Sequence, residues 1–330
     1  MEYKIGKELD GVPLKSFLLR TLRLSQAILT ELKKRPDGLL VNGSHVTVRY
    51  PLRTGDLLQV NWEDEESTES VVPVRMPLTI LYEDRDVIAV NKPPFMPTHP
   101  SHGHHEDTLA NALAYEFARR GEPFVFRPGG RLDRDTSGAV IVAKNKIAAY
   151  RFYSCHLAGE IRKEYLAVLS GHLTPSEGTI TGKIRRSADS VIMRVACEED
   201  DADGAPALTR YRVLALGTGE DGSPLTLVSA NPVTGRTHQL RVHFASMGTP
   251  ILGDFLYGNG VGTENGDGKA PWITRQALHA AKIAFPQPVT GAPVTLCADL
   301  PEDMRRLLRF FPDFGGFDGI QTSFCEEGSR

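Results

Sequence analysis

Gly129-Gly130-Arg131-Leu132-Asp133-Arg134-Asp135-Thr136-Ser137-Gly138 runs without a break into Ala139-Val140-Ile141-Val142-Ala143. The second half is a short apolar run of the kind that forms a buried strand. The first half pairs glycines, which let a backbone turn sharply, with a crowd of arginine and aspartate. Polar loops carried on rigid strands are where chemistry concentrates. The same residues would also suit a turn laced with surface ion pairs. An Asp-x-Asp pair further fits enzymes that phosphorylate an aspartate at the C-terminal end of a strand. Here the acids precede the strand, and Thr136 comes one position early for that chemistry.

Outward from this loop, Leu78 to Tyr82 and Val87 to Val90 predict strands joined by the turn Glu83-Asp84-Arg85-Asp86. Leu109, Leu113 and Phe117 share one face of a predicted helix over Thr108 to Arg119. A second helix is expected from about Asn145, then strands over Tyr165–Leu169, Leu208–Leu216 and Leu225–Ala230. Thr237 to Met247 fits a helix closed by Gly248 and Pro250. Strands and helices mix without βαβ alternation, which predicts an α+β fold with a mixed, largely antiparallel sheet.

The N-terminal part reads as a separate αα-β unit. Leu14, Phe17, Leu18 and Leu22 recur at helical spacing, as do Ile28, Leu29 and Leu32, with Ser25 as a cap between them. Leu39 to Val41, Asn42-Gly43 and His45 to Val48 predict a hairpin, because Asn-Gly suits a type I′ turn. A last strand is expected over Leu57 to Trp62. The domain reading is residues 1–65 for this unit, a linker over 66–77, and a large domain over 78–330.

The formal charge of −3 speaks mildly against nucleic acid, but its distribution matters more. Lys33, Lys34, Arg35, Arg49 and Arg53 make the N-terminal unit positive. Acid gathers in Glu63 to Glu69 and Glu198 to Asp203, which read as solvated loops. Cys155, Cys197, Cys297 and Cys325 form no CxxC pair, which argues against a disulfide framework or a zinc site. No apolar run is long enough to span a membrane, and Met1 to Leu9 has no apolar signal core. The expected location is the cytoplasm.

Three further segments draw notice. Gly235-Arg236-Thr237-His238-Gln239-Leu240-Arg241-Val242-His243 follows a strand and opens a helix, where anions are favoured. Its histidines are five apart, unlike the i, i+4 pair of a zinc-binding helix. Lys163-Glu164-Tyr165 begins a strand, where a tyrosine ordinarily packs half-buried. His99, His102, His104 and His105 cluster without cysteine or paired carboxylates and read as a flexible loop rather than a metal site. Gly258 to Gly268 lacks the strand–helix context of a nucleotide fingerprint and reads as loop.

Taken together, these segments resemble the RluA-type family of RNA pseudouridine synthases. The stretch Arg131 to Gly138 is similar to the signature around that family's catalytic aspartate, Lys163-Glu164-Tyr165 to its second motif, and Gly235 to His243 to its third. Val90-Asn91-Lys92-Pro93-Pro94 and Arg275-Gln276-Ala277-Leu278-His279-Ala280 match in kind and order, so the resemblance spans roughly residues 75–312. The N-terminal unit resembles the ribosomal-protein S-four-like RNA-binding domain. Two features depart from the pattern. Gly130 stands where the family commonly has His or Asn, and His156 to Glu160 lacks the usual basic content.

The resemblance implies isomerisation of uridine to pseudouridine in structured RNA, with ribosomal RNA favoured and transfer RNA possible. The bond from uracil nitrogen 1 to the ribose breaks, and the ring rejoins through carbon 5. No redox change occurs and no water is consumed, so no cofactor or metal is expected. Asp133 would be the essential carboxylate: attacking ribose carbon 1′, adding to uracil carbon 6, or removing the 2′ proton. Arg241, or alternatively Arg236, would keep it charged. Tyr165 would hold the flipped base and move the carbon 5 proton. Arg131, Arg134, Lys163, Arg236 and His238 would contact RNA at the site, and Lys33, Lys34 and Arg35 from the N-terminal unit. A monomer is expected. The rival reading is an RNA-binding protein of the same fold without catalysis, supported by Gly130 alone.

Overall fold

A computed structural model describes residues 2–22, 24–62, 71–258 and 272–314. The acidic stretch Glu63 to Glu69, Cys325 and all of Gly258 to Gly268 beyond its first residue lie outside them. The N-terminal unit comprises β1 (Glu2–Lys4), α1 (Leu14–Ser16), α2 (Gln26–Leu32), β2 (Leu39–Val41), β3 (Ser44–His45) and β4 (Leu57–Val60). Its sheet runs β1-β4-β2-β3, antiparallel throughout. The first predicted helix is shorter than its apolar spacing suggests. After α1 the chain widens into a π-type turn over Phe17–Thr21, with the Leu22 amide donating to the Phe17 carbonyl. Ser25 caps α2 as expected, its Oγ accepting from the Ile28 amide at 3.2 Å. Asn42 and Gly43 both have positive φ, 49° and 79°, as a type I′ turn requires. The strand after it ends at His45 rather than Val48. Strand β1 was hidden in the sequence by the charges of Glu2 and Lys4, which flank a single half-buried Tyr3.

The large unit contains β5 (Thr79–Glu83), β6 (Val87–Lys92), α3 (Leu109–Arg120), β7 (Ser137–Ala143), α4 (Lys146–Leu157), β8 (Arg162–Ser170) and β9 (Glu177–Arg186). It continues with β10 (Arg194–Cys197), β11 (Ala205–Thr218), β12 (Pro224–Pro232), α5 (Gln239–Ser246), β13 (Leu278–Pro286), β14 (Pro293–Cys297) and α6 (Glu302–Leu307). One sheet takes the order β10-β9-β11-β12-β8-β13-β7-β6-β5, with β14 paired to β13. Among the described strands β13 with β7 is the one parallel pairing, so the sheet is mixed and mostly antiparallel. The fold class is α+β.

The middle of this sheet is the core. Every residue of β7 is buried, and β8 is buried from Tyr165 onward. Gly138 lets β7 reach β13: its φ is +118°, and a Cβ there would lie 2.3 Å from the Ala280 carbonyl oxygen. The residues predicted to open α3 and α4 are their caps, with Thr108 accepting from the Asn111 amide and Asn145 from the Ala148 amide. The segment 71–77 is irregular and docks on α3: Asn111 donates to the Val72 carbonyl at 2.8 Å, and the Val74 amide to the Asn111 carbonyl at 3.1 Å. Helix α4 joins the two units. Its Ile147 packs among the apolar residues of the N-terminal unit, and its Arg151 donates to the Leu22 carbonyl.

Candidate active site

Asp133 lies on the loop between Gly130 and β7, and that loop is anchored by its own backbone. The Leu132 carbonyl accepts from Thr98 Oγ1 at 2.9 Å, and the Arg134 carbonyl from Lys92 Nζ at 3.0 Å. The Asp135 carbonyl accepts from Arg275 Nη1 at 2.9 Å. Lys92 and Arg275 are both 0% exposed. Lys92 also donates to the carbonyls of Pro93 and Met96, so its ammonium spends all three donors on backbone. Arg275 in turn forks onto Asp303 of α6 at 2.7 and 2.9 Å. Three successive attachments thus fix the loop and leave the Asp133 side chain directed into a cleft.

The carboxylate meets Arg241 Nη1 at 3.1 Å and His238 Nε2 at 3.8 Å. Arg241 comes from α5 and is itself gripped from behind: Asp254 takes its Nε at 2.7 Å and its Nη2 at 2.8 Å. The Asp254 side chain is 0% exposed. The guanidinium also lies 5.0 Å over the Tyr257 ring. One arginine therefore carries two carboxylates, one buried and one facing the cleft. His238 takes a left-handed conformation, φ 58°, just before α5, and its Nδ1 lies 2.8 Å from the Tyr257 hydroxyl. Burial pushes the His238 imidazole below its ordinary pKa, against the pull of Asp133.

Tyr165 lies between Ala230 of β12 and Ala280 of β13 and is 8% exposed. Burial, and then the charge of Asp133, push its phenol well above the usual range, so the hydroxyl keeps its proton. The expected result for Tyr165→Phe is retained RNA binding with slowed turnover. Equal turnover in a single-turnover assay would show the hydroxyl to be dispensable.

The cleft has a volume of about 920 Å³, within the range of small-molecule sites. Arg131, Arg134, Arg162, Lys163, Arg210, Arg236 and Arg241 line it, and Asp133 is the one acid among the described lining residues. Gln239 shapes its far wall: the Gln239 Oε1 accepts from the Arg236 amide at 3.0 Å and from Thr234 Oγ1 at 2.7 Å. The structure thus brings Arg131, Asp133, Arg134, Lys163, Tyr165, Arg236, His238 and Arg241 together. Arg236 is not the partner of Asp133; it is exposed and donates to the Pro206 carbonyl. Arg134 forks onto the adjacent Asp135 at the surface. Lys33, Lys34 and Arg35 do not line the cleft, and Arg35 pairs with Asp37 at 3.3 Å.

Several residues take places that the sequence did not assign them. His99 and His104 of the histidine cluster line the cleft. That loop is pinned by the Thr98 bond to Leu132 and by a bridge between Ser101 and His104. Asp254 escaped notice because nothing local marks it beyond an acid following Ile251-Leu252-Gly253. His243 turns away from His238 into the core, 2.9 Å from Thr209 Oγ1. Among the described residues no group of three or more His, Cys, Asp or Glu is arranged to hold a metal, and no helix is long and apolar enough to cross a membrane.

Burial lowers both His243 and the buried His279 from 6.5 to about 4. Between these values the unfolded chain binds more protons than the native one, so stability falls as pH falls through that window. A tenfold difference in proton affinity between the two states is worth about 1.4 kcal/mol. Denaturant titrations across the window should show a steady loss of unfolding free energy, and His243→Gln should make it shallower, leaving the share that His279 contributes. A wild-type profile with no slope there would contradict the burial of these imidazoles as neutral groups.

The family described as RNA pseudouridylate synthase matches residues 86–246. An RNA pseudouridine synthase of Bacillus subtilis, YjbO, is 36% identical over 288 residues, covering 87% of this chain and 95% of that protein. The ribosomal large subunit pseudouridine synthase D of Xanthomonas campestris is 35% identical over 311 residues, 92% of this chain and 88% of that one. Among solved structures, human RNA pseudouridylate synthase domain containing 1 is similar at a TM-score of 0.55 and 31% identity, covering 75% of this chain and 94% of its own. With its aspartate loop, tyrosine strand and arginine helix joined in one cleft, and with relatives this similar along most of its length, the chain belongs to the RNA pseudouridine synthase family.

Proposed function

We propose that this protein isomerises uridine in ribosomal RNA with Asp133 as the catalytic carboxylate, Arg241 as its charge partner and Tyr165 as the platform for the base. The observation that carries the reading is the pairing at 3.1 Å between Arg241 and Asp133, the one acid among the described residues that line a cationic cleft. A carboxylate withdrawn from water tends to take up a proton, and a guanidinium at hydrogen-bond distance opposes that. Asp133 is thus the carboxylate placed to attack or deprotonate. The target nucleotide leaves its stack to enter the cleft. The nitrogen 1 to carbon 1′ bond breaks, and the ring turns against the Tyr165 face. Carbon 5 then bonds carbon 1′, and the carbon 5 proton leaves while nitrogen 1 gains one. Atoms and electrons balance without a cofactor.

Arg131, Arg134, Lys163, Arg236 and His238 contact the RNA around that nucleotide. Lys33, Lys34 and Arg35 extend the contact from an S-four-like N-terminal unit, which favours a large structured RNA over a small one. The name of the Xanthomonas relative points the same way, to the large ribosomal subunit. The proposed setting is a monomer working in the cytoplasm. The domain division that fits this role is RNA capture by residues 1–65 and catalysis by 78–330. The test is tritium release from carbon-5-labelled uridine in unmodified ribosomal and transfer RNA. Release from ribosomal RNA supports the reading. Release from transfer RNA alone would correct the substrate, and RNA binding without release from either would leave a protein that only binds.

A further inference from the structure

We propose that Lys163 and Gly130 together form a notch for one backbone phosphate of the RNA beside the target uridine. The inference rests on the reading of the cleft as an RNA site and names one contact within it. A Cβ built on Gly130 would lie 2.6 Å from the Nζ of Lys163. The ammonium therefore sits over bare backbone, three residues before Asp133 in the same loop. A side chain at position 130, such as the His or Asn that this family commonly carries, would occupy the place the amine now fills.

Among the described residues Lys163 has no counter-ion there. Asp133 is engaged by Arg241, and among the described residues the Lys163 amine makes neither an ion pair nor a hydrogen bond. Its backbone carbonyl alone is used, accepting from Asn231. Burial pushes the amine below its ordinary pKa, so its charge is held at a cost. The neighbourhood adds to that cost. After burial, the charges of Lys163 and Arg236 both depress the His156 imidazole, and all three side chains line the cleft. An unpaired cation among other cations is stabilised by an anion that arrives with the substrate. RNA offers one anionic group, the phosphate, and a lysine ammonium binds it as a point charge. Strand β8 carries Lys163 two residues before Tyr165, so phosphate and base would be held by one rigid element.

The experiment measures binding of an unmodified large-subunit ribosomal RNA transcript over a range of monovalent salt at fixed magnesium. Wild type, Lys163→Met, Gly130→Ala and the double variant are compared. Each phosphate contact contributes about 0.7 to 0.9 to the slope of log affinity against log salt. Each single variant should lose about that much, and the double no more than either, because the added methyl displaces the same amine. In the tritium assay the loss should fall on KM rather than kcat, as for a contact made equally in ground and transition states. Unchanged slopes in both single variants would overturn the notch, and so would losses that add in the double. Gly130 lies outside the left-handed backbone region, so Gly130→Ala tests the notch alone should Lys163→Met fail to fold. A wild type that binds this transcript without releasing tritium would instead refute the proposed reaction, leaving the slopes to judge the notch separately.

Discussion

Asp133→Asn should all but abolish tritium release, by up to about 10⁴-fold, while RNA binding and thermal stability survive. The reasoning starts from what the asparagine keeps. It has the shape of aspartate, and its side-chain oxygen can still accept from Arg241 Nη1, now 3.1 Å from the carboxylate. Arg241 itself remains forked onto Asp254 and loses no structural partner. The loop is held by the carbonyls of Leu132, Arg134 and Asp135, none of which the substitution touches. What disappears is the carboxyl group. An amide can neither attack a ribose carbon nor take up a proton at neutral pH, whichever of the three routes the reaction follows.

Asp135 supplies the control. Its carboxylate forks onto Arg134 at 2.8 and 3.1 Å near the surface, and the Asp135 backbone rather than its side chain meets Arg275. A surface pair of this kind is worth up to about 1 kcal/mol, which bounds the loss of rate for Asp135→Asn near about fivefold. Product formation by Asp133→Asn together with an inactive Asp135→Asn would reverse the assignment. The comparison separates the two acids of one loop by what each one's side chain touches.

What the sequence revealed and what it hid follow from the range of the interactions. Local signals carried through: the Asn42-Gly43 turn, the helix starts at Ser25, Thr108 and Asn145, and the apolar run of β7 each depend on residues within a few positions. Strands β9 and β14 did not show. β9 alternates poorly, with glycines at 178 and 182, and is ordered by its long pairing with β11. β14 is five residues long and exists through its contact with β13. The cleft shows the same division. Asp133, Tyr165 and Arg241 belong to dense motifs and were legible as candidates. Asp254 and the buried roles of Lys92 and Arg275 were not, because their partners lie far along the chain or across the sheet.

Arg241→Ala should cost about 3–5 kcal/mol of stability, the usual penalty for removing one partner of a buried ion pair, and should suppress turnover as well. Two separate consequences share this one side chain. Behind Arg241, Asp254 is fully enclosed and takes two of its hydrogen bonds; without the guanidinium that carboxylate is left buried with only the Leu256 and Tyr257 amides and no cation. In front, Asp133 loses the one hydrogen-bonded cation it has among the described residues, with His238 remaining 3.8 Å away and held below its ordinary pKa by burial. The two consequences can be taken apart. Arg241→Met/Asp254→Asn removes the buried charge together with the arginine, while the asparagine oxygen can still accept from the Leu256 and Tyr257 amides. The double variant should therefore recover most of the unfolding free energy yet stay catalytically poor, because nothing restores a cation beside Asp133. Denaturant titration and tritium release on the same preparations decide it. Recovery of both would mean that Arg241 serves the fold alone, and an Arg241→Ala protein as stable as wild type would refute the buried pair. The layout explains why an arginine suits this position: its fork grips Asp254 through one edge while the remaining amine reaches Asp133, a geometry that a single lysine ammonium cannot span.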